Sequence, residues 1–433
     1  MEATLVVGLF LALLILLVVR MPIGFAMMFI GFVGYTILLG WDVALRILPR
    51  MLFDQSAKYG FIILPLFIIS GACVLRAGLA RSAFEFAQRC FGHLRGGMAL
   101  ATVGACAMFG ACTGSSIVTS LTVGRISIPE MKRHGVSDAL ATGTIAAAGT
   151  LGMLIPPSAM LVLYGLLTDL SIIKLFIAGL IPGIVSAAIY MAGIHLYARI
   201  RPEAVGETVR RFSWTERLKS AHQTWGIFAL FVTIVGGIYT GIFTVTEAAG
   251  AGAVVAFAML MTKSDRWANT RGSFYEAART TAALFFMLLG AIVFSNFIRM
   301  SGVAVEISEA ILAWPLGPTG TLIVILLIFV PLGMIMDPLS MMLLTMPVVL
   351  PAVVALGHDP IWFGIILIKM CELANITPPI GLHAFVIKGI APPGVQIESI
   401  FKGCSMFVVL DALTIALLVA YPEIVMWLPS TMN

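Results

Sequence analysis

Two pairs of segments combine side-chain oxygens with helix-breaking residues in a way that suits a small cation. The first pair is GACTGSS at 110–116 with AAAGTLGMLIPPS at 146–158, and the second is PLGMIMDPLS at 331–340 with CELANITPPIGLH at 371–383. Tandem prolines remove two backbone N–H donors and disfavour helix at the residue before them. Carbonyls near Gly152 to Ile155 and near Asn375 to Thr377 therefore lose their partners. Where water is absent such carbonyls need a replacement, and a sodium ion completed by hydroxyl or amide oxygens is one. The cation-binding candidates are Thr113, Gly114, Ser115, Ser116 and Gly152 at the first pair, and Gly333, Asp337, Ser340, Asn375, Thr377 and Pro378 at the second. Sodium is the only metal ion expected, and no organic cofactor is. Half-helix N-termini at the two tips would turn partial positive charge toward a shared cavity, which suits an anionic substrate. Ser116, Pro156, Pro157, Ser295, Asn296 and His383 are the candidates for its vicinity.

Taken singly, either motif reads as packing, because small residues and proline are frequent in membrane helices for close approach and kinking alone. Their coincidence at corresponding positions of a repeat, set out below, reverses that weighting. Lys369 and Glu372 are three apart and could pair on a helix leading into the second break, as a salt bridge at least as readily as a substrate contact. Glu247 follows Thr244 by three residues, the spacing of a capping box. Asp337 differs, since a carboxylate at a hairpin tip is costly unless it meets a cation or a watery vestibule. The six histidines and six cysteines show no metal-ligand spacing and no CxxC, so the cysteines read as small core residues.

The elements that must position these residues follow from composition. With 433 residues, 60% hydrophobic and 11% charged, the chain has more apolar surface than a soluble core could enclose, so the bilayer is its solvent. The net charge of +5 comes without a contiguous basic run, which argues against nucleic acid as a partner. Glu2 replaces the basic start of a signal peptide, so the N-terminus reads as a first span. Ten spans are expected near 3–20, 22–40, 60–76, 139–166, 174–198, 224–243, 245–262, 280–299, 361–390 and 404–421. Two further apolar regions, 97–128 and 321–355, are interrupted midway, leaving halves too short to span, and read as re-entrant hairpins. With the N-terminus outside, most of the 26 Lys and Arg fall on the inside, provided both hairpins return to the side they came from.

Aligning the interrupted regions exposes a repeat. Pro129 and Pro351, Gly135 and Gly357, Pro156 and Pro378, and Pro157 and Pro379 share one spacing. Five crossings separate the two copies, so they face opposite ways, an inverted-topology repeat of the kind secondary transporters use. The organisation expected is N-terminal scaffold helices at 1–59, a first transport repeat at 60–200, central scaffold helices at 201–279 and a second transport repeat at 280–433.

FGACTGSSIVTSLTVGRISIPEMKRHG, TGTIAAAGTLGMLIPPSAMLVLYG, GIFTVTEAAGAGA and ELANITPPIGLHAFVIKG together closely resemble the large membrane subunit of tripartite ATP-independent periplasmic (TRAP) transporters, the DctM or SiaM type. The resemblance runs over nearly the whole chain. It implies an all-α, elevator-type importer of the ion-transporter superfamily, driven by a sodium gradient, in a bacterial inner membrane. It also implies two protein partners besides membrane lipids: a small four-helix membrane subunit of the DctQ/SiaQ type, expected here as a separate chain, and a periplasmic binding protein of the DctP/SiaP type. The substrate would be a small organic anion, with sialic acid, dicarboxylates, keto acids, sulfonates and ectoine all open. The alternatives are a stand-alone sodium or proton antiporter or anion transporter of the same superfamily, or a pore. An intramembrane enzyme would need paired carboxylates or a metal triad that the motifs do not supply.

Overall fold

A computed structural model of the chain describes residues 3–432, which are helical apart from connections and one isolated bridge between Val136 and Val205. The first helices are α1 (Ala3–Val18), α2 (Ile23–Leu39), α3 (Trp41–Ser56), α4 (Ile63–Arg76) and α5 (Leu79–Phe91). Then come α6 (Gly97–Thr113), α7 (Ser116–Arg133), α8 (Asp138–Ala148), α9 (Ala159–Thr168), α10 (Ile172–Ile200) and α11 (Trp214–Gln223). A second series follows with α12 (Trp225–Phe231), a π turn at Val232–Gly236, α13 (Gly237–Tyr239), α14 (Val245–Met261), α15 (Arg266–Ser301) and α16 (Val303–Leu312). The chain closes with α17 (Gly317–Ile335), α18 (Pro338–Ala355), α19 (Pro360–Ile376), α20 (Leu382–Lys388), α21 (Ile397–Ala420) and α22 (Glu423–Ser430). Many starts are set by a side chain that accepts a first-turn N–H, among them Ser115, Ser137, Ser158, Ser171, Asp337 and Asp359. The expected Thr244–Glu247 capping box opens α14.

The repeat is longer than the punctuation in the sequence implies. α2 and α14 start at Ile23 and Val245, α7 and α18 at Ser116 and Pro338, and α8 and α19 at Asp138 and Pro360, each pair one constant offset apart. The N-terminal helices thus belong to the repeat rather than preceding it. Contacts exchange partners accordingly: α2 packs on α15 while α14 packs on α4, and α8 packs on α21 while α10 packs on α19. α5 lies along α6 and α7, as α16 lies along α17 and α18. The second copy runs its counterparts of α3 and α4 together in the 36-residue α15, so a boundary at 279/280 cuts a helix. Its polar first turns leave only the 280–299 part of that helix legible as an apolar run.

Among the described residues, six stretches are long and apolar enough to cross a membrane, and a pair bent by 62°, Trp214–Gln223 with Trp225–Tyr239, would make a seventh. The regions expected as spans near 3–20, 22–40 and 245–262 fold into shorter apolar helices of 16–17 residues, bounded by turns such as Pro22 and Gly40. The interrupted regions also differ from expectation. Their halves are not short: α17 and α18 hold 19 and 18 residues, about 28 Å of helix each, enough to span. What makes each region a hairpin is that α6 packs on α7, and α17 on α18, across a break. Several helices carry too few apolar residues to register as spans. α5 buries Ala80, Ala83, Phe84 and Ala87 on one face, an amphipathic pattern. All six cysteines are free.

Candidate functional site

A cavity of about 240 Å³ forms where both hairpin tips meet α4, α9 and α15. The first tip contributes Thr113, Gly114, Ser115 and Ser116, and the second contributes Asp337. Met153 and Pro157 come from the first break, and Glu276 and Thr280 from α15. Two carboxylates and several hydroxyls thus face a mostly apolar space whose described lining holds no Lys or Arg. Arg76, at the end of α4, ion-pairs with Glu276 at 2.7 Å.

The first tip and the first break are built into one another. Gly114 closes α6 with φ of 62°, and a Cβ there would stand 2.6 Å from the Pro157 carbonyl, so glycine is required twice over. The Ala159 N–H donates to the Gly114 carbonyl at 3.4 Å, tying tip to break. Ser115 caps α7 by accepting from the Val118 N–H at 3.5 Å. The Thr119 hydroxyl donates to the Ser115 carbonyl at 2.7 Å and lies 3.0 Å from the Thr113 hydroxyl. Gly110 and Gly152 touch backbone to backbone, a Cβ on Gly110 falling 2.8 Å from the Gly152 Cα. Thr113, Ser115 and Thr119 therefore gather oxygens against Gly152. Ser158 caps α9 and donates to the Met153 carbonyl, so one orphan of the break is satisfied within the chain.

The second pair repeats the geometry with different chemistry. Asp337 occupies the position equivalent to Ser115 and caps α18, accepting from the Leu339 and Ser340 N–H groups at 3.1 Å each and from the Ser340 hydroxyl. Gly333 lies against α19, where a Cβ would fall 2.4 Å from that of Ala374. α19 stops at Ile376, and Pro378 and Pro379 are joined by a cis bond, as are Pro156 and Pro157. The Thr377 hydroxyl turns back to the Leu373 carbonyl at 2.6 Å. Asn375 is 1% exposed, yet neither end of its amide has a partner, and its own carbonyl and that of the buried Ile376 accept no backbone hydrogen bond among the described residues. Buried oxygens left this way are costly unless something polar meets them. Amide and carbonyl oxygens are the donor type that a desolvated sodium ion takes.

Not every candidate faces the cavity. Gly152, Gly333, Ser340, Asn375, Thr377 and Pro378 lie behind the tips, and Pro156 approaches Gly179 of α10. His383 is buried, with Nδ1 3.2 Å from both the Ser120 hydroxyl and the Ala146 carbonyl, so it joins α20 to α7 and α8. Asn296 contacts Met51 and accepts from Arg299 at 2.5 Å; neither it nor Ser295 lines the cavity. Lys369 and Glu372 do pair, at 2.7 Å and fully buried, but the ammonium also binds Asp411 of α21 at 2.5 Å. Asp411 in turn accepts from the Tyr190 hydroxyl at 2.7 Å. Sequence reasoning missed Thr119, Glu276 and Asp411. The last had a signal, as the lone charged residue of the apolar run 403–420.

The family model for the tripartite ATP-independent periplasmic transporter DctM component matches residues 10–424. A C4-dicarboxylate TRAP transporter large permease protein DctM of Pseudomonas aeruginosa is 38% identical over 84% of this chain and 86% of that protein. The ectoine/5-hydroxyectoine TRAP transporter large permease protein UehC of Ruegeria pomeroyi is 30% identical over 97% of both, and the sialic acid large permease SiaM of Vibrio cholerae is 27% identical over 96% of both. Among solved structures, the Alcanivorax borkumensis YdaH transporter superposes with a TM-score of 0.62 at 15% identity, over 91% of this chain and 90% of that one. Neisseria gonorrhoeae MtrF does so at 0.54 and 13% identity, over 90% and 85%. These two share the fold. The match over nearly the full length, with relatives above 30% identity, means that the chain is a multi-pass membrane protein belonging to the DctM family of TRAP transporter large permeases.

Proposed function

We propose that this permease couples sodium entry to import of a small organic anion handed to it by a periplasmic binding protein. The observation that carries this reading is the equivalence of Ser115 and Asp337, two helix caps at matching repeat positions on the wall of one cavity. Arg76 compensates Glu276, which leaves Asp337 as the carboxylate of the described lining without a paired cation, and it disfavours an anion unless cations bind with it. Sodium at each tip and break would supply that charge, and a C4-dicarboxylate, named for a relative at 38% identity, is the first substrate to test. The unpartnered oxygens around Asn375 and the hydroxyl cluster around Thr119 support one ion each.

The motion follows from which parts are interlocked. α8 and α21 cross so closely that a Cβ on Gly403 would fall 1.8 Å from the Ala139 carbonyl, and His383 bridges to α7 and α8. Both broken helices therefore travel as one body, past a scaffold of the remaining helices that also holds the small subunit. In this elevator scheme about ten segments cross an inner membrane and the hairpins enter and leave on one side. The test is uptake into vesicles holding the reconstituted permease with its small subunit and binding protein. Uptake should require an inward sodium gradient and rise more than linearly with sodium. Equal uptake driven by a proton gradient in potassium alone would defeat the sodium reading, and uptake without the binding protein would make the chain a stand-alone carrier.

A further inference from the structure

Lys369, Glu372, Asp411 and Tyr190 form a cluster with no solvent exposure where α19 and α21 of the second repeat meet α10 of the first, and neither the cavity nor the tips use it. It joins three helices: α19 supplies Lys369 and Glu372, α21 supplies Asp411 and α10 supplies Tyr190. The Lys369 ammonium sits between two carboxylates and 5.6 Å from the Tyr190 ring centroid. One ammonium against two carboxylates leaves a surplus negative charge. The Glu372 Oε1 and Asp411 Oδ2 atoms are buried and have no partner. An uncompensated charge at this depth is strongly disfavoured, and two carboxylates sharing one site do not both stay ionised without a second cation. Three residues beyond Glu372, on the same side of α19, stands Asn375 with its unpartnered amide.

We infer that this cluster is a proton-binding site whose occupancy opposes cation binding at the second break. Protonated on the free Glu372 oxygen, the cluster is neutral. When that proton leaves for water the cluster carries one negative charge and draws a sodium ion toward Asn375 and the carbonyls that follow it. The groups facing the cluster are few. Lys369, Glu372, Asp411 and Tyr190 act on one another, and Thr150 of the first break adds a hydroxyl beside Tyr190. Asp337 of the second hairpin acts on Cys371, and His383 of α20 turns to Ser120 and Ala146. Among the described residues, Lys369 pairs with no carboxylate besides Glu372 and Asp411, and Glu372 with no cation besides Lys369. The coupling is reciprocal by linkage, so sodium must expel the proton as acid weakens sodium binding.

The coupling half of this inference rests on the sodium reading above; the proton half does not. Infrared difference spectra of the full-length permease in lipid vesicles should show a carboxylic-acid carbonyl band that grows as pH falls. The band should be absent from Glu372→Gln, or from Asp411→Asn if the first variant fails to assemble. A spectrum without a titrating band, or one unchanged in both variants, overturns the proton site. Adding sodium chloride in place of potassium chloride at fixed pH should shrink the band. In uptake, each unit of acidification should raise the sodium half-saturation by up to about tenfold, and Glu372→Gln should flatten that dependence. A band indifferent to sodium overturns the coupling alone, whereas sodium-independent uptake with an intact band defeats the transport reading and leaves the proton site standing.

Discussion

The first tip and break and the second occupy equivalent places in the repeat, yet they solve the loss of helix differently. At the first, residues 151–158 are buried nearly throughout, glycines let backbone meet backbone, and Ser158 returns a hydrogen bond to Met153. Every polar atom there is neutral. At the second, Pro378, Pro379 and Ile380 are exposed, Gly381 starts α20 without a side-chain cap, a carboxylate stands at the tip, and a charged cluster lies one turn before the break. The cluster has no counterpart across the repeat, where Ala147, Thr150 and Ile189 stand in place of Lys369, Glu372 and Asp411. One scaffold therefore holds a neutral, closed site and a charged, looser one. Ions of the same kind would bind the two with different strength and respond differently to pH.

The charged cluster offers the largest effect. Lys369→Ala leaves two buried carboxylates facing each other without their ammonium, which should cost about 3–5 kcal/mol and deplete folded protein. Importing the first repeat's residues together, as Lys369→Ala with Glu372→Thr and Asp411→Ile, should recover most of that loss, since an apolar replacement of a buried ion cluster is often neutral. Thermal unfolding in detergent compares the two. A triple variant as unstable as the single one would mean that the cluster holds α19, α10 and α21 in place by more than its charge balance.

The tips offer an intermediate effect. Asp337→Asn keeps a capping oxygen and removes the charge, whereas Ser115→Ala removes a neutral cap. Bonds to a charged group are worth about 1.5–3 kcal/mol against about 1 for neutral ones. Asp337→Asn should therefore raise the sodium half-saturation of uptake roughly tenfold or more, and Ser115→Ala about fivefold. Equal shifts would erase the distinction between a charged and a neutral site.

How much of this was legible depends on what leaves a mark in sequence. The paired prolines and the small or polar residues at the tips are helix breakers, so the broken helices could be placed from Pro156, Pro157, Pro378 and Pro379 and the hairpins from the interruptions at 110–116 and 331–340. The capping box at Thr244 was equally plain. The length of the repeat was not, because α2 and α14 match in position rather than in residue type. Amphipathic α5 and α16 escaped a search for continuous apolar runs, as did the first turns of α15, from which Glu276 reaches the cavity. Ser295 and Asn296 looked suitable as polar residues in a span, but they stand about 16 Å or more beyond Leu284 along α15, clear of the cavity, and which stretch of a helix borders a cavity cannot be read before its neighbours are known. Asp411 and Lys369 are 42 residues apart, and only the packing of α19 on α21 brings them together.

The smallest effect concerns how firmly each break is held. A closed break keeps its amides from solvent, and local opening is what amide hydrogen exchange measures. Residues around Ile380–Ala384 should exchange faster than residues around Ser158–Val162, because the first turn of α20 lacks a side-chain cap and follows an exposed segment. Ser158 is the residue that makes the first break different: it accepts the Leu161 N–H at 3.4 Å and donates to the Met153 carbonyl. Ser158→Ala removes both bonds without adding bulk. Losing a helix cap costs about 1 kcal/mol, so exchange across the first turn of α9 should quicken roughly fivefold while the second break stays as it was. Sodium should slow exchange more at the second break than at the first, since the ion would supply there the contacts that Ser158 supplies within the chain. If the two breaks exchange alike before the substitution, and sodium slows them equally, their difference in closure does not translate into a difference in stability, and the asymmetry between the repeats is confined to charge.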